Sequence, residues 1–116
     1  MNISQREVRG VTILDLEGRL VLEDGVAQFV AELSRVIRQG GRRILLNFDE
    51  VTYLDSAGVG AIAWRYVTAR KRDVDVKLLN LRRKTHNVLN TTRLLTVIES
   101  FESEDAAIDS FGPGDR

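Results

Sequence analysis

The sequence predicts one α/β domain whose mixed sheet opens with an antiparallel hairpin and carries its helices mainly on one face. Three observations predict it. The chain has 116 residues, the size of a single compact domain with one core. Its 43% hydrophobic and 29% charged residues are the balance of an ordinary globular protein, which sets disorder aside. After an opening pair of β-branched runs, strand-like and helix-like patterns alternate, and parallel neighbours need helical crossovers that return on a face of the sheet.

Residues 3–8 and 11–16, joined by Arg9-Gly10, read as the hairpin, with Glu17-Gly18-Arg19 following as a turn or bulge. From residue 26 to 37, Val26, Phe29, Val30, Leu33, Val36 and Ile37 recur at three- and four-residue steps, so one stripe of a helix faces the core. Gly40-Gly41 ends it. Ile44-Leu45-Leu46 lies in a run from 43 to 48 without polar alternation, which suits a strand covered on both faces. Asp49-Glu50 is expected to break that run before residues 51–54.

A second helix is predicted to run to about Arg72, with Val59, Ile62, Ala63, Tyr66 and Val67 on its inner stripe. Arg70-Lys71-Arg72 suit its last turn, where the peptide dipole is negative. Val74, Val76 and Leu78 alternate with Asp75 and Lys77 as a strand of period two. A weaker helix over 82–92, a last strand over 95–98 and a short helix over 103–111 complete the pattern. The domain is expected to span 1–111 and residues 112–116 to form a frayed tail.

Composition excludes several function classes. Seventeen Lys plus Arg balance seventeen Asp plus Glu, so no net basic field exists to hold a nucleic-acid backbone, and no direct nucleic-acid partner is expected. The absence of cysteine excludes disulfides, thiolate zinc sites and thiol catalysis, and agrees with a reducing compartment. The first seven residues form no apolar signal region, and no stretch approaches 18 apolar residues. The expected location is the cytoplasm, without membrane insertion.

The informative segment runs from Asn47 to Ile62, where a buried strand meets an amphipathic helix through Asp55-Ser56-Ala57-Gly58-Val59-Gly60. This resembles the STAS family, and within it the anti-sigma factor antagonists, whose signature is an apolar strand, an acidic turn and Asp-Ser-(Ser/Thr/Ala)-Gly-(Leu/Val)-Gly opening a helix. The order of strands and helices extends the resemblance over nearly the whole chain.

The resemblance implies that Ser56 is phosphorylated by a partner that is both anti-sigma factor and serine kinase, of the histidine-kinase-like ATPase class, and that a phosphatase resets it. It implies no cofactor for this domain; ATP and magnesium would belong to the kinase. Near Gly18, where family members commonly continue with an acidic residue, Leu and Asp, this chain has Arg19-Leu20-Val21. That loop borders the family's partner-binding face, so Arg19 joins Asp49, Glu50, Asp55, Ala57, Gly58, Gly60, Ala61 and Trp64 as the expected partner contacts.

Elementary chemistry agrees with this reading. A serine at a helix start lies near free backbone N–H groups, and a phosphate there is favoured by the dipole by about 0.3–1 kcal/mol. Phosphorylation adds roughly −1.5 to −2 charges beside Asp55, expected also to lie near Asp49 and Glu50, and like charges at a desolvated interface oppose binding. Trp64 falls off the inner stripe, on the side of Ala57, Ala61 and Thr68, as a candidate aromatic anchor.

Competing readings are weaker. Asp55 or Ser56 could serve only as a helix cap. Gly58 to Ala63 satisfies a dinucleotide-binding glycine pattern, but no acid follows the next strand, where Leu79 leads to Asn80. A G-x-S-x-G elbow needs glycine where Leu54 stands, and the lone His86 lies in a polar stretch, so hydrolase chemistry has no constellation. Asp49, Glu50 and Asp55 as metal ligands are less expected than solvated loop acids. The main functional alternative keeps the fold: a STAS accessory subunit of a membrane transport complex, or a scaffold in a signalling assembly.

Overall fold

The computed structural model describes residues 1–112; of the expected tail, residues 113–116 lie outside the described residues. Strands β1 (Asn2–Val8) and β2 (Val11–Leu20) form the antiparallel hairpin, turning through Arg9 and Gly10, both at positive φ. Helix α1 (Val26–Arg38), strand β3 (Arg43–Leu54), helix α2 (Ser56–Arg70), strand β4 (Asp75–Leu79), helix α3 (Arg83–Thr91), strand β5 (Ser100–Phe101) and helix α4 (Glu104–Ser110) follow. The five strands lie in the order β1-β2-β3-β4-β5, and every pair after the first is parallel.

Alternation along the inner strands sends two sets of side chains to opposite faces. Leu14, Leu16, Ile44, Leu46, Phe48 and Leu78 meet Phe29, Leu33 and Val36 of α1, Ile62 and Tyr66 of α2, and Leu89 of α3 in the larger core. Val11, Ile13, Leu45 and Leu79 point the other way, under Ala107 and Ile108 of α4. The helices therefore lie mainly on one face, with α4 alone on the second.

The second face also carries a polar layer. Arg6 donates to both oxygens of Asp15 and of Glu104, and the Asn47 amide donates to Asp15 at 2.8 Å. Burial alone would raise the Asp15 pKa, but the hydrogen bonds from Arg6 and Asn47 outweigh it and hold the carboxyl below its ordinary range. Arg6 thereby ties the start of α4 to the hairpin.

Three sequence expectations change. Asp49 and Glu50 do not interrupt β3: they stay in the strand with exposed side chains, while Val51 and Leu54 are buried and Glu50 pairs with Glu17 of β2. Of the two alternatives for residues 17–19, the bulge holds: β2 runs on through them with register shifts in its pairing with β3. Residues 95–98 are not a strand: Arg93 adopts a left-handed conformation, and the amides of Thr96, Val97 and Ile98 turn back onto Arg93 and Leu94 carbonyls. The strand comes two residues later, at Ser100–Phe101. Finally, α2 is buried along Gly58, Ile62, Tyr66 and Ala69, leaving Val67 exposed and ending the helix at Arg70.

Phe48 is fully buried between the sheet and its helices. Phe48→Ala is expected to destabilise the domain by about 3–5 kcal/mol, through lost burial plus the cavity left behind, as read by urea unfolding.

Candidate functional site

The site forms where β2 and β3 end side by side, Arg19 opposite Tyr53 and Leu20 opposite Leu54. Asp55 follows in extended conformation as the N-cap of α2. One of its carboxylate oxygens accepts the Gly58 N–H at 2.9 Å, satisfying an orphan donor of the first turn. The other accepts the Leu22 N–H at 3.0 Å, from the loop between β2 and α1. These two amides, Leu22 first and Gly58 next, hold the carboxyl below the ordinary aspartate range. One side chain thus caps the helix and fixes the neighbouring loop.

Ser56 is the first residue of α2, and it is exposed. Because Asp55 already occupies the Gly58 amide, Ser56 has no capping duty and its hydroxyl faces solvent. Stepping along the helix by four, four and three residues from Ser56 reaches Gly60, Trp64 and Val67, all exposed. Trp64 keeps 61% of its surface accessible. Ala57 and Ala61, expected on the same surface, are half-buried along its border.

The two glycines of the motif differ. A Cβ on Gly58 would fall inside the contact distance of the Leu20 carbonyl oxygen, so only glycine lets α2 lie against the end of β2. A Cβ on Gly60 would meet nothing within 4 Å. Gly25 repeats the first situation at the N-cap of α1, with φ at 106° and its missing Cβ against the Arg19 carbonyl.

Arg19, Asp55, Ala57, Gly58, Gly60, Ala61 and Trp64 are thereby gathered around Ser56 or along its helix. Asp49 and Glu50 are not. They precede Asp55 on an extended strand rising about 3.3 Å per residue, so they stand roughly 16–20 Å up the strand, beyond a physiological Debye length of about 8 Å. Asp49 is moreover held by Arg82, which donates to its backbone carbonyl and brings its guanidinium within 3.9 Å of the carboxylate. Of these acids, only Asp55 adjoins the Ser56 hydroxyl.

Two residues that sequence reasoning missed stand exposed beside the site: Leu22, 69% accessible, and Tyr53, 52% accessible. Leu22 is the one large apolar side chain in the polar run Leu22-Glu23-Asp24-Gly25, which was the available signal. Among the described residues no cluster of three or more His, Cys, Asp or Glu could hold a metal ion, and no helix is long and apolar enough to cross a membrane.

A model of the STAS domain matches residues 2–107. The chain belongs to the STAS domain family. Among proteins similar to this STAS domain is BtrV of Bordetella bronchiseptica, provisionally named an anti-sigma factor antagonist. It is 24% identical over 111 residues, covering 96% of this chain and 95% of the relative. The anti-sigma factor antagonist SpoIIAA of Bacillus, in its unphosphorylated form, is 26% identical over 95% of this chain and 97% of its own, with a TM-score of 0.72. Its phosphorylated form superposes at 0.71. A protein of Thermotoga maritima matches at a TM-score of 0.86 with 20% identity over 93% of this chain and 92% of its own, which speaks to the fold.

The contrast between the two glycines is directly measurable. Gly58→Ala should destabilise the domain by about 1–3 kcal/mol, because helix and strand must separate, whereas Gly60→Ala should stabilise the helix by about 0.5–1 kcal/mol. Paired chemical denaturation curves check both signs.

Proposed function

We propose that this STAS domain is an anti-sigma factor antagonist that binds an anti-sigma factor kinase when unphosphorylated and releases it when Ser56 is phosphorylated. The observation that carries the reading is the exposed stripe from Ser56 through Gly60 to Trp64 and Val67. Two features of the motif serve the fold, since Asp55 caps the helix and Gly58 admits Leu20. Ser56 and Gly60 have no such role, and a glycine in a helix interior costs about 0.5–1 kcal/mol relative to alanine. A surface that must be approached closely by another protein accounts for both. The names of BtrV and SpoIIAA, and the existence of a phosphorylated form of SpoIIAA, support the same conclusion.

In this mechanism the domain is a binding module and a kinase substrate. The exposed Trp64 supplies an anchor, and the nearby Leu22 and Tyr53 add apolar area that no part of the domain covers. A phosphate on Ser56 places roughly −1.5 to −2 charges at the head of this stripe, beside the ionised Asp55. It does not displace the cap, because Asp55 and not Ser56 holds the Gly58 amide. The modification changes the surface and leaves the fold intact. Release of the kinase partner would then leave that partner free to hold its sigma factor.

Incubation with a cognate kinase and ATP should place phosphate on Ser56, and Ser56→Ala should abolish it while preserving partner binding. Ser56→Asp should weaken binding by about 1–3 kcal/mol, roughly 5- to 150-fold. Phosphate located elsewhere by mass spectrometry, or equal affinity of both forms, refutes the switch. Trp64→Ala should weaken partner binding by about 2 kcal/mol while costing about 0.5 kcal/mol or less in unfolding stability. Calorimetric titration and thermal melts separate the two.

A further inference from the structure

The exposed side of α2 does not end at Val67. Steps of three and four residues beyond Trp64 reach Val67 and then Lys71, the C-cap residue, and both are exposed. Facing them across an open groove of about 680 Å³ stand Thr96 and Val97, at the end of the turn Leu94–Thr96. Val67 is 46% accessible and Val97 57%, so two of the five exposed large apolar side chains among the described residues flank this one groove.

The walls of the groove are fixed. Buried Tyr66 donates its hydroxyl to the Val97 carbonyl at 3.1 Å and accepts a bond from Arg70 Nη1 at 2.9 Å. The Val97 amide donates to the Leu94 carbonyl. Val97 is thus bonded through both its backbone groups, and a side chain presented from a pinned backbone lowers the ordering cost of a contact. Arg70 and Lys71 are the charged residues of the groove, and among the described residues no acid lines it.

We propose that this groove is a second anchor for the anti-sigma factor kinase: it receives an apolar side chain of that partner between Val67 and Val97, with a carboxylate beside it facing Arg70 and Lys71, whether or not Ser56 carries phosphate. The inference rests on the partner reading above and adds a contact of stated chemistry to it. Continuity commits the groove to that partner, because a protein covering Trp64 meets Val67 and Lys71 on the same side of the same helix. Size agrees. Ser56 to Trp64 spans only about 12 Å of helix, whereas a standard interface takes about 800 Å² from each partner, a patch roughly 30 Å across. Extension to Lys71 lengthens the stripe to about 22 Å, and Val97 widens it. Val67 lies about 16 Å along the axis from Ser56, two physiological Debye lengths of about 8 Å. A phosphate at the head of the stripe is therefore screened from this end, and the phosphorylated chain keeps a weak hold on the kinase.

The test measures binding of the full chain to the purified histidine-kinase-like ATPase that phosphorylates it, by surface plasmon resonance at two salt concentrations, in the unmodified and Ser56→Asp backgrounds. Val97→Asp sets a like charge against the partner's carboxylate and should weaken binding at least about tenfold in both backgrounds. Lys71→Glu should slow association about three- to tenfold and flatten its salt dependence. It also keeps the test decisive should Val97→Asp lose its fold in thermal melts. Unchanged binding of both variants, with Trp64→Ala still weakened, would overturn the groove contact and leave the partner reading standing. Equal affinity of the two Ser56 backgrounds, with Val97→Asp weakened in each, would sink the switch and keep the groove. A loss confined to the unmodified background would overturn the independence from phosphate. A change in the sedimentation of the chain alone on Val97→Asp would assign the groove to a second copy of this chain and overturn the proposal.

Discussion

The arrangement depends on one close approach, between the first turn of α2 and the end of β2. Asp55 binds the Gly58 amide of its own helix and the Leu22 amide of the loop beyond β2, and Gly58 lies against the Leu20 carbonyl with no room for a side chain. Two chain segments distant in sequence, residues 20–22 and 55–58, are held together by two hydrogen bonds and a missing methyl group. Since the parallel pairing of β2 and β3 ends at Leu20 and Leu54, the sheet itself delivers these groups to one place.

A division of labour follows within the motif. Asp55 and Gly58 are consumed by the fold, which leaves Ser56 and Gly60 on the outer side of the same helix. The modification proposed at Ser56 would therefore leave the cap beneath it in place. The apolar side chains Leu22, Tyr53 and Trp64 remain exposed, as do Val67 and Val97, although the domain buries most of its large apolar residues in two clusters. An accessible aromatic on the helix that Ser56 opens is the feature on which the proposed partner contact rests.

The opposite bias rules α3. There the first turn is basic and uncapped, whereas α2 is capped by a carboxylate and α4 begins with Ser103 accepting the Ala106 amide, followed by Glu104 and Asp105. The zero net charge of the chain conceals this local contrast. Overall charge thus argues against a polyanionic partner in general and does not report how charges are distributed among the helix starts.

Local periodicity was sufficient wherever one pattern dominated: α1, with Phe29, Leu33 and Val36 inward, and β4, with Val76 and Leu78 inward, lie where the sequence places them. The motif from Asp55 to Gly60 was likewise readable, because glycine and a capping carboxylate have few physical substitutes. Periodicity failed where apolar residues surround a helix or precede a turn. The inner face of α2 could not be chosen between Val67 and Ala69 without knowing what it packs against, and Leu94-Leu95 became a tight turn because Arg93 took a left-handed conformation. The separation of Asp49 and Glu50 from Ser56 also required the sheet, since only pairing with β2 keeps β3 extended across two acidic residues. The sequence by itself determined the order of strands and helices, the glycine motif that opens α2 and the inner face of α1. Tertiary structure alone decided which charges stand near one another, because that depends on distances across strands and helices that no local pattern encodes.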